Sequence, residues 1–266
     1  MSINRYLYSI IAACALASCA EQYVESYNIQ GSSSVTIPDG IKLYLRTKIG
    51  NELKDIDSCD VVHGDFAFSG KLDTTRLAIL SIDKPGVPPV LVIERGDITV
   101  NVSETGLKVT GSPLNDKLYE YIGKQIQLEN QQMELERKQT RLILEEGIDE
   151  EASARKVAAE VQMLLNRADS LETYFILENQ DNVIGPFAFQ MLTLPLWQKY
   201  NYPVFTPQIE EIMAKASQKF KTDPYVSEYY TKGKEFLARM RGEMSDDSEQ
   251  KPVSAAAGTS SDKLKQ

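Results

Sequence analysis

The chain holds three cysteines and one histidine in 266 residues, so the side chains with the widest chemical repertoire are few. His63 stands beside Gly64 and Asp65, and a His–Asp pair could begin a metal site or a general-base dyad. A catalytic zinc takes roughly three protein ligands, and the sequence has no second histidine. All-oxygen calcium ligation finds no recognised loop spacing either. The tripeptide is read as a surface turn, and no metal or other cofactor is expected. A Ser-His-Asp triad would have to use the same His63, with no Gly-x-Ser-x-Gly elbow to present a serine. No Gly-rich loop follows a strand and opens a helix in phosphate-binding spacing. Carboxylate pairs such as Asp55 and Asp57, or Glu145 and Glu146, read as solvated charge in an acidic chain. Arg95-Gly96-Asp97 falls between two apolar runs, where hairpin geometry asks for a glycine, and reads as a turn rather than an adhesive tripeptide. No catalytic residue is assigned and an enzyme is not expected; a hydrolase with an unrecognised site is the weakest reading.

The cysteines point to an address rather than a reaction. Arg5 precedes an apolar run from Tyr6 to Leu16, too short to cross a bilayer, which takes roughly 20 helical residues, but suited to a secretory h-region. Leu16-Ala17-Ser18-Cys19 resembles the bacterial lipobox, whose cysteine is diacylated before cleavage. Two acyl chains make a durable anchor where one is marginal. The alternative is ordinary cleavage after Ala15-Leu16-Ala17. On the lipobox reading, residues 1–18 are a signal peptide and Cys19 is the lipidation site, carrying palmitate-type chains. The mature protein is then a lipoprotein of the cell envelope, with the outer membrane first and its periplasmic or surface face left open. Cys59 becomes a lone thiol in an oxidising compartment, either buried and inert or a contact for another thiol. Lys and Arg total 29 against 38 Asp and Glu, a formal net charge of -9. That balance argues against nucleic acid as a partner, because phosphate affinity rests on cationic side chains and counterion release.

Two kinds of element must position whatever these residues do. Over residues 19–111, Ile41, Leu43 and Leu45 alternate with polar neighbours, as do Phe66 and Phe68, and Ile98, Val100 and Val102. Leu77–Ile82 and Val90–Ile93 are nearly continuous apolar runs and predict central strands. Turn residues separate these pieces, so an antiparallel β-sandwich is expected. Over residues 112–242 the pattern becomes helical. Ser112-Pro113 predicts an N-cap and a first-turn proline, and the helix should run to about Glu146 with Gly147 beyond it. A second helix from Asp149 carries Val157, Val161, Leu164, Ala168, Leu171 and Phe175 in an alternating 4,3 spacing. The pair predicts a long antiparallel hairpin. Shorter helices are expected from Pro186 to Pro195, Pro207 to Phe220 and Pro224 to Gly242, the last burying Tyr225, Tyr229, Phe236 and Met240. Residues 243–266 lack apolar periodicity and are expected to be disordered. The fold class is α+β.

Two features of the helical region could form a surface. Tyr121, Leu128, Leu135 and Leu142 recur every seven residues, but Gln125, Gln132 and Gln139 occupy the intervening seam positions. These glutamines make either a polar layer inside the hairpin or a face completed by another chain. The aromatic and proline-rich segment with Phe187, Phe189, Trp197, Tyr200, Tyr202 and Phe205 either packs the short helices or lines a groove.

The order of several short motifs resembles the domain-of-unknown-function 4369 family, found mainly in envelope lipoproteins of Bacteroides-type bacteria. The motifs are Tyr27-Asn28-Ile29-Gln30-Gly31, Asp39-Gly40-Ile41-Lys42-Leu43-Tyr44-Leu45, Gly64-Asp65-Phe66-Ala67-Phe68-Ser69-Gly70, Glu94-Arg95-Gly96-Asp97-Ile98 and Val109-Thr110-Gly111-Ser112-Pro113-Leu114-Asn115-Asp116. Phe175-Ile176-Leu177-Glu178-Asn179, Asp181-Asn182 and Ile184-Gly185 look like the helical part of the same proteins, so the resemblance spans residues 23–240. Many members continue into a thioredoxin-like domain with Cys-x-x-Cys. Here no such pair occurs, and too little sequence follows Gly242 to hold that fold. The resemblance therefore implies the envelope address and the β-plus-helical region, without the redox role. The expected function is a lipid-anchored, non-catalytic binding or interaction module with an envelope protein as partner. The alternative is an accessory to a separate thiol-disulfide oxidoreductase.

Overall fold

The computed structural model describes residues 25–34, 39–50, 52–82, 89–103 and 106–243. Cys19 with the rest of the predicted signal peptide, and the predicted tail from residue 244, lie outside them. The β strands are β1 (Ser26–Ser33), β2 (Lys42–Ile49), β3 (Glu52–Asp60), β4 (Asp65–Lys71), β5 (Arg76–Ile82), β6 (Val90–Ile93), β7 (Gly96–Ser103) and β8 (Gly106–Thr110). They form two four-stranded sheets, ordered β4-β1-β7-β8 and β3-β2-β5-β6. Alternation decides which side chains turn inward: Tyr27 and Ile29, Leu43 and Leu45, Phe66 and Phe68, Ile98 and Val100 meet in one core between the sheets. One pair departs from the antiparallel expectation. β1 lies antiparallel to β4 but parallel to β7, because the chain passes through the opposite sheet between them, and a parallel neighbour needs such a crossover.

The register explains two of the motifs. Tyr27 pairs with Gly70, and Gly31 with Phe66. A Cβ on Gly31 would lie 2.0 Å from the Phe66 ring, and one on Gly70 would lie 2.7 Å from the Tyr27 hydroxyl. Each ring covers the glycine opposite it, which restores the packing that a bare strand glycine lacks.

The expectation of two central strands needs correcting. β5 is interior, but β6 is hydrogen-bonded to a strand on one side only and ends its sheet. Its residues are apolar throughout because both faces are covered. Leu91 and Ile93 enter the sandwich core, while Val92 enters a second core made by the helices.

The helices are α1 (Pro113–Leu144), α2 (Glu150–Glu178), α3 (Ile184–Tyr200), α4 (Pro207–Lys215), α5 (Gln218–Lys221) and α6 (Pro224–Met240). Three predicted boundaries move. α3 runs through Pro195; the residue is exposed, as is Met191 one turn earlier, so the carbonyl that the proline leaves unpaired lies on the wet side. The predicted helix from Pro207 to Phe220 breaks at Ala216, where ψ is 150°. There the Ser217 N–H donates to Gln180 Oε1 at 2.5 Å, and the Ser217 hydroxyl bonds Asp181 Oδ1 at 2.9 Å. These bonds tie the break to the α2–α3 turn. α6 ends at Met240, which is exposed rather than buried.

A buried polar knot joins the two halves. Ser112 occupies the N-cap of α1, but its side chain does not cap. Instead Glu94, at the end of β6, accepts the free N–H groups of Leu114 (2.8 Å) and Asn115 (3.1 Å). Its negative charge also suits the helix N-terminus. The Asn115 amide then acts as a neighbouring strand. It accepts from the Val92 N–H at 2.8 Å and donates to the Val92 carbonyl at 2.7 Å and to the Ser112 hydroxyl at 2.8 Å. One turn on, the Tyr119 hydroxyl donates to the Val90 carbonyl at 2.8 Å. The open edge of β6 is thus closed by side chains of α1.

Asn115→Ala would leave the Val92 N–H and C=O buried without partners. Urea unfolding should show a loss of about 2–4 kcal/mol; a loss under about 1 kcal/mol would mean that the knot is not needed for the edge.

Candidate functional site

α1 has 32 residues and therefore extends about 48 Å. Its buried residues are Asn115, Leu118 and Tyr121, all in the first third. The remainder leaves the body with only α2 beside it. The turn between them is made as the sequence predicts. Gly147 takes φ 64°, the Ile148 N–H reaches the Leu142 carbonyl at 3.2 Å, and Asp149 caps α2 through the Ala152 N–H at 2.7 Å. Cross-links then fix the register along the pair: Lys138 to Glu160 at 2.5 Å, Lys156 to Glu146 at 3.4 Å and Lys117 to Glu178 at 3.4 Å.

The hairpin also has a direction. Asn115 bonds Val92 and Tyr119 bonds Val90, so α1 runs antiparallel to β6. The described chain begins at Glu25, whose carboxylate lies 3.7 Å from Arg95, and Tyr27 pairs with Gly96. Chain entry and helix root therefore share one end of the sandwich, and the hairpin tip points away from it.

The predicted seam is present in outline. Val157, Leu164 and Phe175 are buried, and Leu128, Leu135, Leu142, Ala168 and Leu171 are half-buried, but Val161 is exposed. The three glutamines do not form one feature. Gln125, half-buried, donates to the Tyr121 hydroxyl at 2.8 Å, and Tyr121 stacks on Phe175 with ring centroids 4.0 Å apart. Gln132 is exposed and donates to Glu136 on its own helix at 3.1 Å; Gln139 is half-buried.

Beside the seam runs a groove. One stretch of about 550 Å³ is lined by Gln131, Met133, Glu160, Met163 and Arg167, among others. A second stretch, of about 680 Å³ and nearer the body, includes Lys124, Leu171 and Tyr174. Met133 is 45% exposed, Met163 62% and Tyr174 67%. Sequence reasoning passed over these residues because they lie off the seam phase. The available signal was an apolar side chain on a helix flank that the heptad leaves polar.

The aromatic cluster divides. Phe189, Phe220 and Tyr229 are fully buried, with ring centroids 5.6 Å apart for Phe189–Phe220 and Phe189–Tyr229. Trp197 packs on Tyr229 at 5.6 Å, Tyr202 stacks on Phe236 at 3.8 Å, and Tyr200 remains exposed. A cleft of about 530 Å³ between α4 and α6 is lined by Phe205, Met213, Tyr230 and Lys234, among others, without Trp197, Tyr200 or Tyr202. These three pack the short helices or face solvent rather than line that groove.

Cys59 is half-buried against the sandwich core, and burial pushes its thiol up, with Asp57 and Asp60 adding to the shift. It is not a poised thiolate. His63, at φ 54°, sits in a turn where Asp39 accepts its backbone N–H at 2.6 Å and faces its Nδ1 at 3.2 Å.

The family model for the domain of unknown function DUF4369 matches residues 27–118. Those residues are a DUF4369 domain. The DUF4369 stretch continues past β8 into the first turns of α1, so it contains Glu94, Ser112 and Asn115, the knot that launches the hairpin. It stops short of the segment from Phe175 to Gly185 included in the wider resemblance. No curated protein matches the chain.

Glu172, which the sequence did not single out, sits half-buried where α1, α2 and α4 meet. Burial raises its pKa and Asp169 adds to the rise, while hydrogen bonds from Gln208 (3.0 Å) and Gln125 hold it back. A raised carboxyl favours the folded state below its ordinary value and loses that contribution as pH climbs through the folded value. Glu172→Gln should therefore gain melting temperature relative to the wild type as pH goes from about 4 to 7. A constant difference across that range would contradict the burial assignment.

Proposed function

We propose that this protein is a lipid-anchored interaction module of the cell envelope, held by Cys19 and presenting its helical hairpin to a protein partner. The observation that carries the reading is the direction of the hairpin. It rises from the end of the sandwich where the chain enters and points its uncovered groove away from that end. A tether at Cys19 would hold the body close to the membrane and the groove clear of it. The best-equipped chemical side chains support a non-catalytic role: His63 is held in a surface turn, and Cys59 has its thiol shifted away from reactivity.

Metabolic labelling with a palmitate analogue should mark the wild type and leave Cys19→Ala unmarked, with the variant moving to the soluble envelope fraction. Equal labelling of the two would remove the anchor. In-cell crosslinking should give partners that are lost when residues 125–168 are replaced by a short Gly/Ser loop. An unchanged set, from a variant that keeps its sheet signal by circular dichroism, would remove the hairpin from the function.

A further inference from the structure

The groove beside the seam carries a pattern that points to its occupant. Glu160, Met163 and Arg167 stand three and four residues apart on α2, so they share one face of that helix, and all three line the groove. Met163 lies near the centre of the run, with a carboxylate on one side and a guanidinium on the other. Arg167 donates to the amide of Gln131 at 3.3 Å, and no carboxylate is paired with it among the described residues. Glu160 bonds Lys138, yet its side chain remains about half exposed. A set ordered acid, apolar, base is complementary to itself when reversed.

We infer that the groove is filled by a second copy of this chain, the two α2 helices crossing antiparallel about a two-fold axis at Met163. The axis sets Met163 on the partner copy's equivalent methionine and Arg167 opposite the equivalent of Glu160, twice over, as an isologous contact requires. The two hairpins together make four helices around a shared apolar strip, the architecture in which a paired hairpin covers its open flank. The face from Lys124 to Arg141 is about 26 Å long and two helices, or about 20 Å, wide. Two copies thus bury about 1,000 Å², at the low end for specific association, so the dimer is weak in dilute solution and formed where anchoring concentrates the chain.

This inference rests on the reading of the hairpin as the presented surface, and the test separates the two. In the full chain carrying Cys59→Ser, Met163→Cys should form a reducible dimer in the envelope under mild oxidation. Its yield should exceed by at least several-fold that of Ala158→Cys, which lies on the opposite side of α2. Arg167→Glu added to Met163→Cys should cut the yield about tenfold, and Glu160→Arg added to that variant should restore it, because the reversed pair is again self-complementary. Yield at residue 163 no higher than at 158, or no recovery in the double charge reversal, overturns the dimer. If the hairpin then still captures a different protein by crosslinking, the presented-surface reading survives and only its occupant was wrong.

Discussion

Everything beyond the β domain depends on how Glu94 and Asn115 settle two problems at once. The exposed edge of β6 needs a donor and an acceptor at Val92, and the start of α1 needs an acceptor for its first N–H groups. One carboxylate and one amide meet both needs within about 3 Å. Because these groups are buried, leaving any of them unpaired costs more than the bond itself contributes, so α1 can leave the sandwich in only one direction. Gly111 reinforces this. Its φ of 96° and its closeness to the Asp97 carbonyl, where a Cβ would sit 2.7 Å away, bring the two motif loops together. The Asp116 carboxylate accepts the Gly111 N–H at 3.1 Å.

With its root fixed, the hairpin has two stabilities. Near the body, Leu118, Tyr121, Phe175 and Ile176 join the helical core around Phe189 and Tyr229, and each large buried side chain contributes about 1.5–3 kcal/mol. Beyond Gln125 the pair is held by half-buried leucines, by Val157 and Leu164, and by exposed ion pairs contributing about 0–1 kcal/mol each. The distal hairpin is therefore the segment expected to open first. A surface that gains stability when covered belongs to such a segment, whereas the sandwich has its apolar faces already filled.

The sequence made legible those features that depend on periodicity and local turn chemistry. Alternation placed Leu43, Leu45, Ile98 and Val100 inward, and Gly147 with Asp149 marked the hairpin turn. What it hid depends on pairing between distant segments. The parallel contact of β1 with β7, the covered edge of β6 and the capping of α1 by Glu94 all join residues far apart in the chain. Ser112 had the local signature of a cap and lost that role to a carboxylate eighteen residues earlier. Glu172 and Arg167 were hidden for a related reason: a charged residue in a charged helix carries no mark showing that its surroundings are half-buried or lack a counter-ion.

The geometry also limits how the pieces can serve together. Cys19 and Glu25 are six residues apart, at most about 20 Å of extended chain, so the anchored end of the sandwich stays near the bilayer. Past Tyr119 the hairpin continues for 25 residues of α1, about 37 Å, on the far side. A globular partner at the membrane surface would meet the sandwich first, whereas one standing off the membrane, or a neighbouring copy held at the same height, meets the hairpin. Equal tethers set two copies of the Met163 face at matching heights, and lateral motion in the membrane then does what a high bulk concentration would otherwise have to do. A contact of about 1,000 Å², too small to persist in dilute solution, is the size such an arrangement can use.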